Sequence, residues 1–341
     1  MWVKRKVLLA ILILSLTLPT TSANSVETGK DATGNSFVVP VYTYRNANAT
    51  VLCSGALIAP LVVVTAAHCI LDSKGLVSKN VFIGEAGGNS STAMQGINRA
   101  SEIHMYSSFT GGAGNTLGAN DIAFLTLTYP IAMKSEVFFP TENLLSKMKS
   151  SHTALEVIGY GSVSDNSQAT SSTPNSYQGI YSDAAVLTNY PNSGVMVSKI
   201  GNSCGGDSGA PVLAIYKSRV TIIGVLTGSV RNMNCTKKLQ DGTYLTYFSL
   251  VGKFPNLAFA AAVEAMNRQN AEHTQIKVDA KAQVDLLNSE IQKISQNHGV
   301  EVTALEKLTK EFNDLNSRLA SCLAGAKKII STKKGKLPTY C

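Results

Sequence analysis

The sequence predicts a mainly β protein body followed by a helical C-terminal region. Between Phe37 and Phe248, short runs rich in β-branched and aromatic residues alternate with clusters of Gly, Asn and Ser. This alternation is typical of short strands joined by turns. Beyond Met266, Gly and aromatic residues become scarce, and Ala, Lys, Glu, Gln, Asn and Leu dominate. Regular short strands indicate barrels or a sandwich, and the change of composition indicates helices.

The first 25 residues have the pattern of a secretory signal peptide. Basic residues at positions 4–6 precede an apolar run at positions 7–18, and small residues follow up to Ser25. The apolar run is short for a membrane-spanning helix. The sequence therefore predicts a secreted protein, and an uncleaved anchor is the alternative.

The charge of the chain lies mainly at its two ends. Hydrophobic residues make up 44% of the sequence and charged residues 15%, with a net charge of +8. Three positive charges lie in the signal-like segment and five among the last fifteen residues, so the part between them carries no net charge. This distribution argues against a nucleic-acid-binding face on the body. We expect the C-terminal lysines to form a solvated tail, with binding to an acidic surface as the alternative.

The predicted strands of the body come at regular intervals. They cover residues 37–44, 61–65, 81–83, 122–127, 155–160, 184–187, 211–216, 220–226 and 243–248. A long loop rich in Gly, Asn and Ser spans residues 107–120 and leads directly to Asp121. The loop therefore delivers a carboxylate to the start of the next predicted strand.

Four motifs follow one another along this body. They are Leu52-Cys53-Ser54-Gly55, Thr65-Ala66-Ala67-His68-Cys69, Asn120-Asp121-Ile122-Ala123 and Gly201-Asn202-Ser203-Cys204-Gly205-Gly206-Asp207-Ser208-Gly209-Ala210-Pro211. In the last motif Ser208 lies among glycines, where backbone N–H groups can converge on one point and hold an oxyanion. Taken singly, each motif also fits an ordinary surface turn, a loop histidine or a strand-edge carboxylate.

Together the motifs resemble the trypsin/chymotrypsin family of serine proteases, in the family's order of His, Asp and Ser. The resemblance runs from about Val26 to about Met266. It implies two antiparallel β-barrels, with His68 and Asp121 in the first, Ser208 in the second, and the active site in the cleft between them. It further implies a secreted serine endopeptidase that acts on protein or peptide substrates without a cofactor or metal.

The resemblance also assigns the catalytic roles. His68 takes the hydroxyl proton of Ser208 as general base, and Asp121 fixes the tautomer of His68 and stabilises the imidazolium. The backbone N–H groups of Gly206 and Ser208 would form the oxyanion hole. A catalytically silent binding module on the same fold is the alternative, which the loss of any of the three side chains would favour.

In this family a freed α-amino group enters the barrel and pairs with the Asp that precedes the nucleophile, here Asp207. Val26 holds the place of that new N-terminus, although Glu27 departs from the usual second aliphatic residue. A buried carboxylate needs such a partner because an unpaired buried charge is costly. Signal cleavage after Ser25 would expose Val26 directly, whereas cleavage after Ala23 would leave two residues for a second protease.

The resemblance places the substrate pocket without fixing its preference. Asn202 stands at the base of the S1 pocket, where trypsin has Asp. The other residues expected to bind substrate are Ser203, Thr227, Gly228, Ser229 and Gly242. The edge segment 227–229 lacks the family's usual aromatic residue, and Asp241 is an alternative pocket carboxylate. Cleavage after basic, polar or medium-sized apolar residues therefore stays open.

Six cysteines in an exported chain indicate disulfides. Their number alone leaves about fifteen pairings open. The family resemblance implies Cys53–Cys69 and Cys204–Cys235. The remaining two, Cys322 and Cys341, lie outside it and either pair with each other or join chains.

The C-terminal region carries a heptad pattern. Apolar residues recur on a and d positions of one register, at 284, 287, 291, 294, 305, 308, 312, 315 and 319. His298 and Glu301 interrupt the register beside Gly299, which predicts two amphipathic helices meeting there. A hairpin on the protease body, a broken coiled coil that joins copies, and an attachment module with the protease as cargo are the alternatives. The predicted division of the chain is 1–25, 26–266 and 267–341.

Overall fold

The computed structural model describes residues 29–47, 49–96, 98–109, 120–162, 171–182, 192–199, 201–229, 238–298 and 302–332. The predicted signal peptide, Val26, Cys235, Cys341 and the predicted strand at 184–187 lie outside these residues. The described strands are β1 (Lys30–Asp31), β2 (Val38–Tyr44), β3 (Thr50–Ala59), β4 (Val62–Thr65), β5 (Val81–Ile83), β6 (Asn98–Met105), β7 (Ala123–Leu127), β8 (Ala154–Gly159), β9 (Asn175–Ser182), β10 (Ser193–Ser198), β11 (Pro211–Tyr216), β12 (Arg219–Ser229) and β13 (Tyr244–Leu250). The α-helices are α1 (Ser91–Met94), α2 (Glu142–Ser150), α3 (Pro255–His298) and α4 (Val302–Thr332).

The first six-stranded barrel is closed and antiparallel, with the strand order β2-β3-β4-β7-β6-β5. Both β4 and β7 are buried along their whole length, which explains why their sequences are almost continuously apolar. Their close packing requires a glycine on β3, because a Cβ atom at Gly55 would lie 2.9 Å from Val63 Cγ1. The predicted catalytic residues His68 and Asp121 flank these two strands, which gives them a rigid support.

The second barrel has the strand order β9-β10-β13-β12-β11-β8 and is closed by pairing of β8 with β9. Strand β1 lies outside the closed barrel and pairs with β9, with Lys30 opposite Ser176. The ring of Phe248 fills its centre, and Cβ atoms at Gly194 or Gly224 would lie 2.4 Å from that ring. The glycines thus make room for one large aromatic side chain in the core.

The predicted mainly β class is confirmed, with two closed six-stranded antiparallel barrels and helices at the C-terminal end. The body also contains helices that the strand pattern did not predict. Helix α2 begins at an N-cap, Thr141, whose side chain accepts a hydrogen bond from the Leu144 N–H. It buries Leu145 and Met148 against the second barrel core.

The chain divides into two compact units between Ala265 and Met266. Helix α3 begins at Pro255, so its first turns belong to the first unit. There Ala261 and Ala265 are buried, and Thr126 Oγ1 donates to the carbonyl of Ala261 (3.3 Å). These contacts tie the start of the helix to the first barrel.

The second unit consists of the rest of α3 and of α4. Where its side chains are described, at 266–293 and 305–328, each is exposed or half-buried. Leu287, Leu308 and Leu315 of the heptad register are 44%, 54% and 61% exposed. The predicted amphipathic helices therefore keep an apolar stripe in contact with solvent. Among the described residues, no helix has both the length and the apolar character needed to cross a membrane.

Candidate active site

His68 and Asp121 form a buried hydrogen-bonded pair. His68 lies in a short 3-10 helix, Ala67–Ile70, directly after β4. Its Nδ1 donates to Asp121 Oδ2 (2.7 Å), and its backbone N–H donates to Oδ1 of the same carboxylate (2.9 Å). Because an ionised carboxylate only accepts, the proton is on Nδ1 and Nε2 is left as the basic nitrogen.

The second barrel helps to fix the position of Asp121. Asn120 has a φ of +63°, a left-handed conformation that Asn tolerates. Its Oδ1 accepts a hydrogen bond from Asn192 Nδ2 (3.0 Å), and Ser249 Oγ on β13 donates to the Asp121 carbonyl (2.9 Å). The hydrogen-bonded pair of His68 and Asp121 is thus held from both barrels.

In the loop that carries Ser208, each backbone carbonyl group from position 205 to 208 accepts a hydrogen bond. The donors are Ser162 N–H to Gly205 O (2.7 Å), Ser54 Oγ to Gly206 O (2.8 Å), Ala210 N–H to Asp207 O (2.8 Å) and Ser54 N–H to Ser208 O (2.8 Å). Hydrogen bonds on successive carbonyl groups fix the peptide planes, and therefore also the directions of the neighbouring N–H groups.

Among the described residues, three N–H groups between Cys204 and Ala210 have no acceptor: that of Gly205, which is exposed, and those of the less exposed Gly206 and Ser208. The N–H groups of Asp207, Gly209 and Ala210 donate to backbone carbonyls. Unpaired backbone N–H groups in a packed region are rare. The two less exposed groups are therefore available to an oxygen atom of a ligand, beside the Ser208 hydroxyl.

Two glycines allow the loop to take this shape. Gly206 and Gly209 have φ values of +101° and +81°, which other residues rarely adopt. A Cβ atom at Gly209 would also lie 2.1 Å from Thr65 Oγ1 and 2.3 Å from the Ser54 carbonyl oxygen. The nucleophile loop therefore lies against the first barrel with no space for a side chain.

His68 and Ser208 both lie beside the sulfur atom of Cys69. Cys69 Sγ, bonded to Cys53, lies 3.8 Å from His68 Nε2 and 3.5 Å from the carbonyl oxygen of Ser208. Within the described residues, no hydrogen bond joins Nε2 to the Ser208 hydroxyl. Catalytic hydrogen bonds are often long without substrate and shorten when substrate binds.

Three side chains near the site have the elements of a metal ligand set. The donor atoms of Cys53, His68 and Cys69 lie within 4.8 Å of one another. However, the two sulfur atoms are joined in a disulfide and the Nδ1 of His68 donates to Asp121. A cysteine binds a metal ion through its free thiolate. The two bonded cysteines therefore do not suit a metal ion.

The sequence model of the trypsin family matches residues 26–251, which is more than half of the chain. The chain belongs to the trypsin family. A curated relative, the urokinase-type plasminogen activator of Gallus gallus, is 28% identical over 218 residues, or 57% of this chain and 48% of that protein. The chain thus spans about half the length of this relative. The family resemblance read from the motifs is confirmed.

This trypsin-family chain buries a second carboxylate, that of Asp207, directly before Ser208. Asp207 is 1% exposed, and its oxygens accept the N–H groups of Gly161 (2.8 Å) and Cys204 (2.9 Å). Burial raises the pKa of Asp207 to about 6, although the two N–H donors favour its charged form. Cβ atoms at Gly159 or Gly161 would collide with the carboxylate, 2.5 and 2.2 Å away. Among the described residues no cation pairs with Asp207, and Val26 lies outside them.

The base of the expected S1 pocket is polar and uncharged. Asn202 and Ser203 are each 4% exposed, and Thr246 Oγ1 of β13 donates to Asn202 Oδ1 (3.5 Å). The hydroxyl groups of Ser203 and Tyr177 lie near each other, and both are buried without a hydrogen bond of good geometry to a described residue. The structure therefore places Thr246 and Tyr177 next to Asn202 and Ser203, which the sequence alone did not indicate.

Gly242 and Asp241 lie in an exposed turn. Gly242 has a φ of +78°, and no atom lies within 4 Å of the position of a Cβ. The carboxylate of Asp241 accepts the N–H (3.0 Å) and the hydroxyl (2.6 Å) of Thr243. These bonds also lower the pKa of Asp241. The pocket roles expected for both residues stay predictions.

The expected substrate-binding edge is the end of β12. Gly228 and Ser229 pair with Tyr247 and Thr246 of β13, and Thr227 is buried. The pairing of β12 with β11 ends at Val225. Among the described strands, the other edge of 227–229 has no partner, so an extended peptide can add there as a further strand.

The cysteines of the described residues are all bonded. The Cys53–Cys69 disulfide is present and anchors the 3-10 helix of His68 to β3. Cys204 and Cys322 are each disulfide-bonded, and their partners lie outside the described residues. The pairings Cys204–Cys235 and Cys322–Cys341 therefore stay predictions.

Proposed function

We propose that this protein is a serine endopeptidase that uses His68, Asp121 and Ser208 as its catalytic residues. The observation that carries the proposal is the pair of unused N–H groups at Gly206 and Ser208, beside a buried His–Asp pair with a basic Nε2. A binding module without catalysis has no need for this combination. Membership of the trypsin family supports the same reaction.

The reaction proceeds by two acyl transfers. Ser208 Oγ attacks the carbonyl carbon of the substrate, and its proton passes to His68 Nε2 while the charge of Asp121 stabilises the imidazolium. The oxyanion accepts hydrogen bonds from the Gly206 and Ser208 N–H groups, each typically worth about 3–4 kcal/mol in the transition state. The imidazolium then protonates the leaving amine. Water, deprotonated by His68, hydrolyses the acyl-enzyme and restores the serine.

The substrates are proteins or peptides that bind as an extended strand along residues 227–229. The expected S1 base offers the amide of Asn202 and the buried hydroxyl of Ser203. Uncharged hydrogen-bonding groups of this kind favour a ligand that supplies matching hydrogen bonds. We infer that the enzyme prefers an uncharged polar residue before the scissile bond over Arg or Lys.

We infer that the chain is secreted and activated by processing. The signal-like segment 1–25 and the bonded cysteines support export, because disulfides persist in oxidising compartments. Activation would free the α-amino group of Val26 to pair with Asp207. The buried Asp207, with its raised pKa and no described cationic partner, supports the need for such a group.

We also infer that the C-terminal helices join two copies of the chain. The observation behind this is the exposed heptad stripe, which includes Leu308 and Leu315. An apolar stripe in water is unfavourable by about 25 cal/mol per Å², and pairing of two stripes removes that cost.

Hydrolysis of a peptide library by the processed protein tests the proposal. We expect cleavage by the wild type and a loss of at least about 10³-fold in the rate for Ser208→Ala. Ser203→Ala, five residues away, is the matched serine control and should retain hydrolysis with an altered preference. A wild-type protein that binds peptides but cleaves none would instead support a silent binding module.

A further inference from the structure

We propose that Ser54, on the first barrel, is a positioning residue for the oxyanion hole of the second barrel. This inference rests on the proposed protease function. Ser54 lies on β3, next to Cys53, and has no contact with the expected position of the substrate. It acts through the backbone of the nucleophile loop.

Ser54 binds the loop at two points. Its Oγ donates to the carbonyl of Gly206 (2.8 Å), and its backbone N–H donates to the carbonyl of Ser208 (2.8 Å). Its Oγ also accepts the N–H of Tyr160 (2.9 Å), at the end of β8. The residue is fully buried. One hydroxyl therefore uses both its proton and a lone pair to connect β3, β8 and the loop.

The hydroxyl itself is held in place from its own barrel. Thr65 Oγ1, on β4, donates to the carbonyl of Ser54 (2.7 Å). The adjacent Cys53 is bonded to Cys69, beside His68. The strand that carries Ser54 is thus fixed relative to the general base. Through Ser54, the same strand fixes the loop that carries the nucleophile.

The Gly206 carbonyl is the group that most needs such a bond. Gly206 has no side chain and lies at a φ of +101°, so sterics leave its ψ angle loosely defined. The peptide group between Gly206 and Asp207 has two hydrogen bonds. Its N–H, that of Asp207, donates to the carbonyl of Cys204 (3.1 Å). Its carbonyl, that of Gly206, accepts from the Ser54 hydroxyl. The bond from Ser54 fixes the plane between Gly206 and Asp207 and so restrains ψ of Gly206 and φ of Asp207. This limits the rotation of the two adjacent planes, which carry the N–H groups of Gly206 and Ser208.

Oxyanion stabilisation depends on donors that are already oriented before the reaction. Loss of the Ser54 hydroxyl would leave the Gly206 carbonyl and the Tyr160 N–H without their partner, and the loop could rotate to satisfy them elsewhere. The cost should appear in the transition state, where the oxyanion forms. Binding of the substrate along residues 227–229 and in the S1 pocket should be preserved.

The test is the Ser54→Ala variant of the processed full chain, measured per active site titrated with a fluorophosphonate. We expect kcat to fall roughly 10- to 100-fold, less than the 10²–10³ typical for removal of a donor. KM should stay within about threefold, since ground-state contacts are unchanged. The rate of fluorophosphonylation should fall with kcat, because the phosphoryl oxygen occupies the same hole.

Two further variants make the test specific. Thr126→Val also removes a buried hydroxyl that donates to a backbone carbonyl of the first unit, that of Ala261, far from the loop. It should lower stability but leave kcat within about twofold. Ser54→Thr keeps the hydroxyl and should retain kcat within about threefold.

The outcomes separate this inference from the proposed function. A wild type that neither cleaves peptides nor reacts with the fluorophosphonate would rule out the proposed protease function itself. An active wild type with an equally active Ser54→Ala variant would overturn only the role of Ser54. A variant that never accumulates as folded protein would also contradict it, because the hydroxyl would then serve the fold.

Discussion

The candidate site contains two buried carboxylates, those of Asp121 and Asp207, which are stabilised in different ways. Asp121 has an imidazole partner at 2.7 Å as well as a backbone donor. Asp207 has only two backbone N–H donors among the described residues, and its pKa is raised to about 6. The buried charge of Asp207 therefore lowers the stability of the folded protein until a cation pairs with it.

The first prediction concerns this cost in the unprocessed chain. The pKa of Asp207 is about 6 in the folded protein and near 3.8 when unfolded, so the folded state binds more protons between these values. Stability should consequently fall as pH rises from 4 to 6, by roughly 3 kcal/mol in total. The free energy of unfolding is measured as a function of pH for the wild type and for Asp207→Asn. The difference between the two curves gives the contribution of Asp207.

The processed chain provides the comparison. If the α-amino group of Val26 pairs with Asp207, the pKa of the carboxyl falls and the loss of stability above pH 4 disappears. Asp207→Asn should then largely inactivate the enzyme. The same pH dependence before and after processing, or an active enzyme that begins at Asn24 or earlier, would rule out the pairing.

The second prediction concerns the S1 pocket. Cleavage should not be dominated by Arg and Lys, because Asn202 brings no fixed charge and the exposed Asp241 is bonded to Thr243. Asn202→Asp should increase the relative cleavage rate after Arg and Lys by about tenfold or more. Cleavage-site profiling by mass spectrometry measures both.

Asp241→Asn is the control for the pocket, since it removes a carboxylate from the same region of the chain. We expect its cleavage profile to match that of the wild type. A wild-type profile dominated by Arg and Lys, abolished by Asp241→Asn, would show that Asp241 supplies the charge.

Among the structural elements, those with strong side-chain patterns were predictable. Strands β4, β7 and β12 are rich in Val, Ile and Leu, and the sequence predicted each within a few residues. Strand β3 was missed although it contains the first motif, because Ser54, Gly55 and Ala56 are small. Their size is set by close packing against β4, which no local periodicity reveals.

The residues of the candidate site were also predictable only in part. The sequence indicates His68, Asp121 and Ser208 because each has characteristic neighbours in the chain. Ser54 also lies in one of the motifs, but its proposed role depends on its contact with Gly206, 152 positions later in the chain. Thr246 was not expected from the sequence, because its contact with Asn202 joins positions 44 apart in the chain. Contacts between distant strands decide both.

The third prediction concerns helix α4. Leu315 lies on the heptad stripe and is 61% exposed, whereas Leu286 lies off the stripe and is 62% exposed. In the full chain carrying Ser208→Ala to prevent self-cleavage, Leu315→Glu should weaken self-association about tenfold or more. Leu286→Glu should have little effect. Sedimentation velocity over a range of concentrations measures both.

A wild-type chain that stays monomeric at high micromolar concentration would contradict the pairing of copies. Equal weakening by the two substitutions would indicate a nonspecific effect of charge on an exposed helix.

At the scale of the whole molecule, the protease body extends into the first turns of α3. Phe254, Ala261 and Ala265 are buried in the first core cluster. The fourth prediction is that a chain truncated after Gln269 folds and keeps most of its activity on small peptides. Truncation after Lys253 removes the buried Phe254 and should cost about 3 kcal/mol or more. Thermal unfolding and peptide hydrolysis of the two truncated chains provide the measurement.

Loss of folding after truncation at Gln269 would mean that the second unit stabilises the body. Equal stability of both truncated chains would mean that the start of α3 contributes nothing to the core.

Covalent labelling shows whether Ser208 is the nucleophile of an active protease. The processed protein is incubated with a fluorophosphonate, digested and analysed by mass spectrometry. We expect one adduct, on Ser208, that is absent in Ser208→Ala and forms at least about 10²-fold more slowly in His68→Ala. An adduct on another serine, or peptide cleavage by a protein that does not react, would show that Ser208 is not the nucleophile.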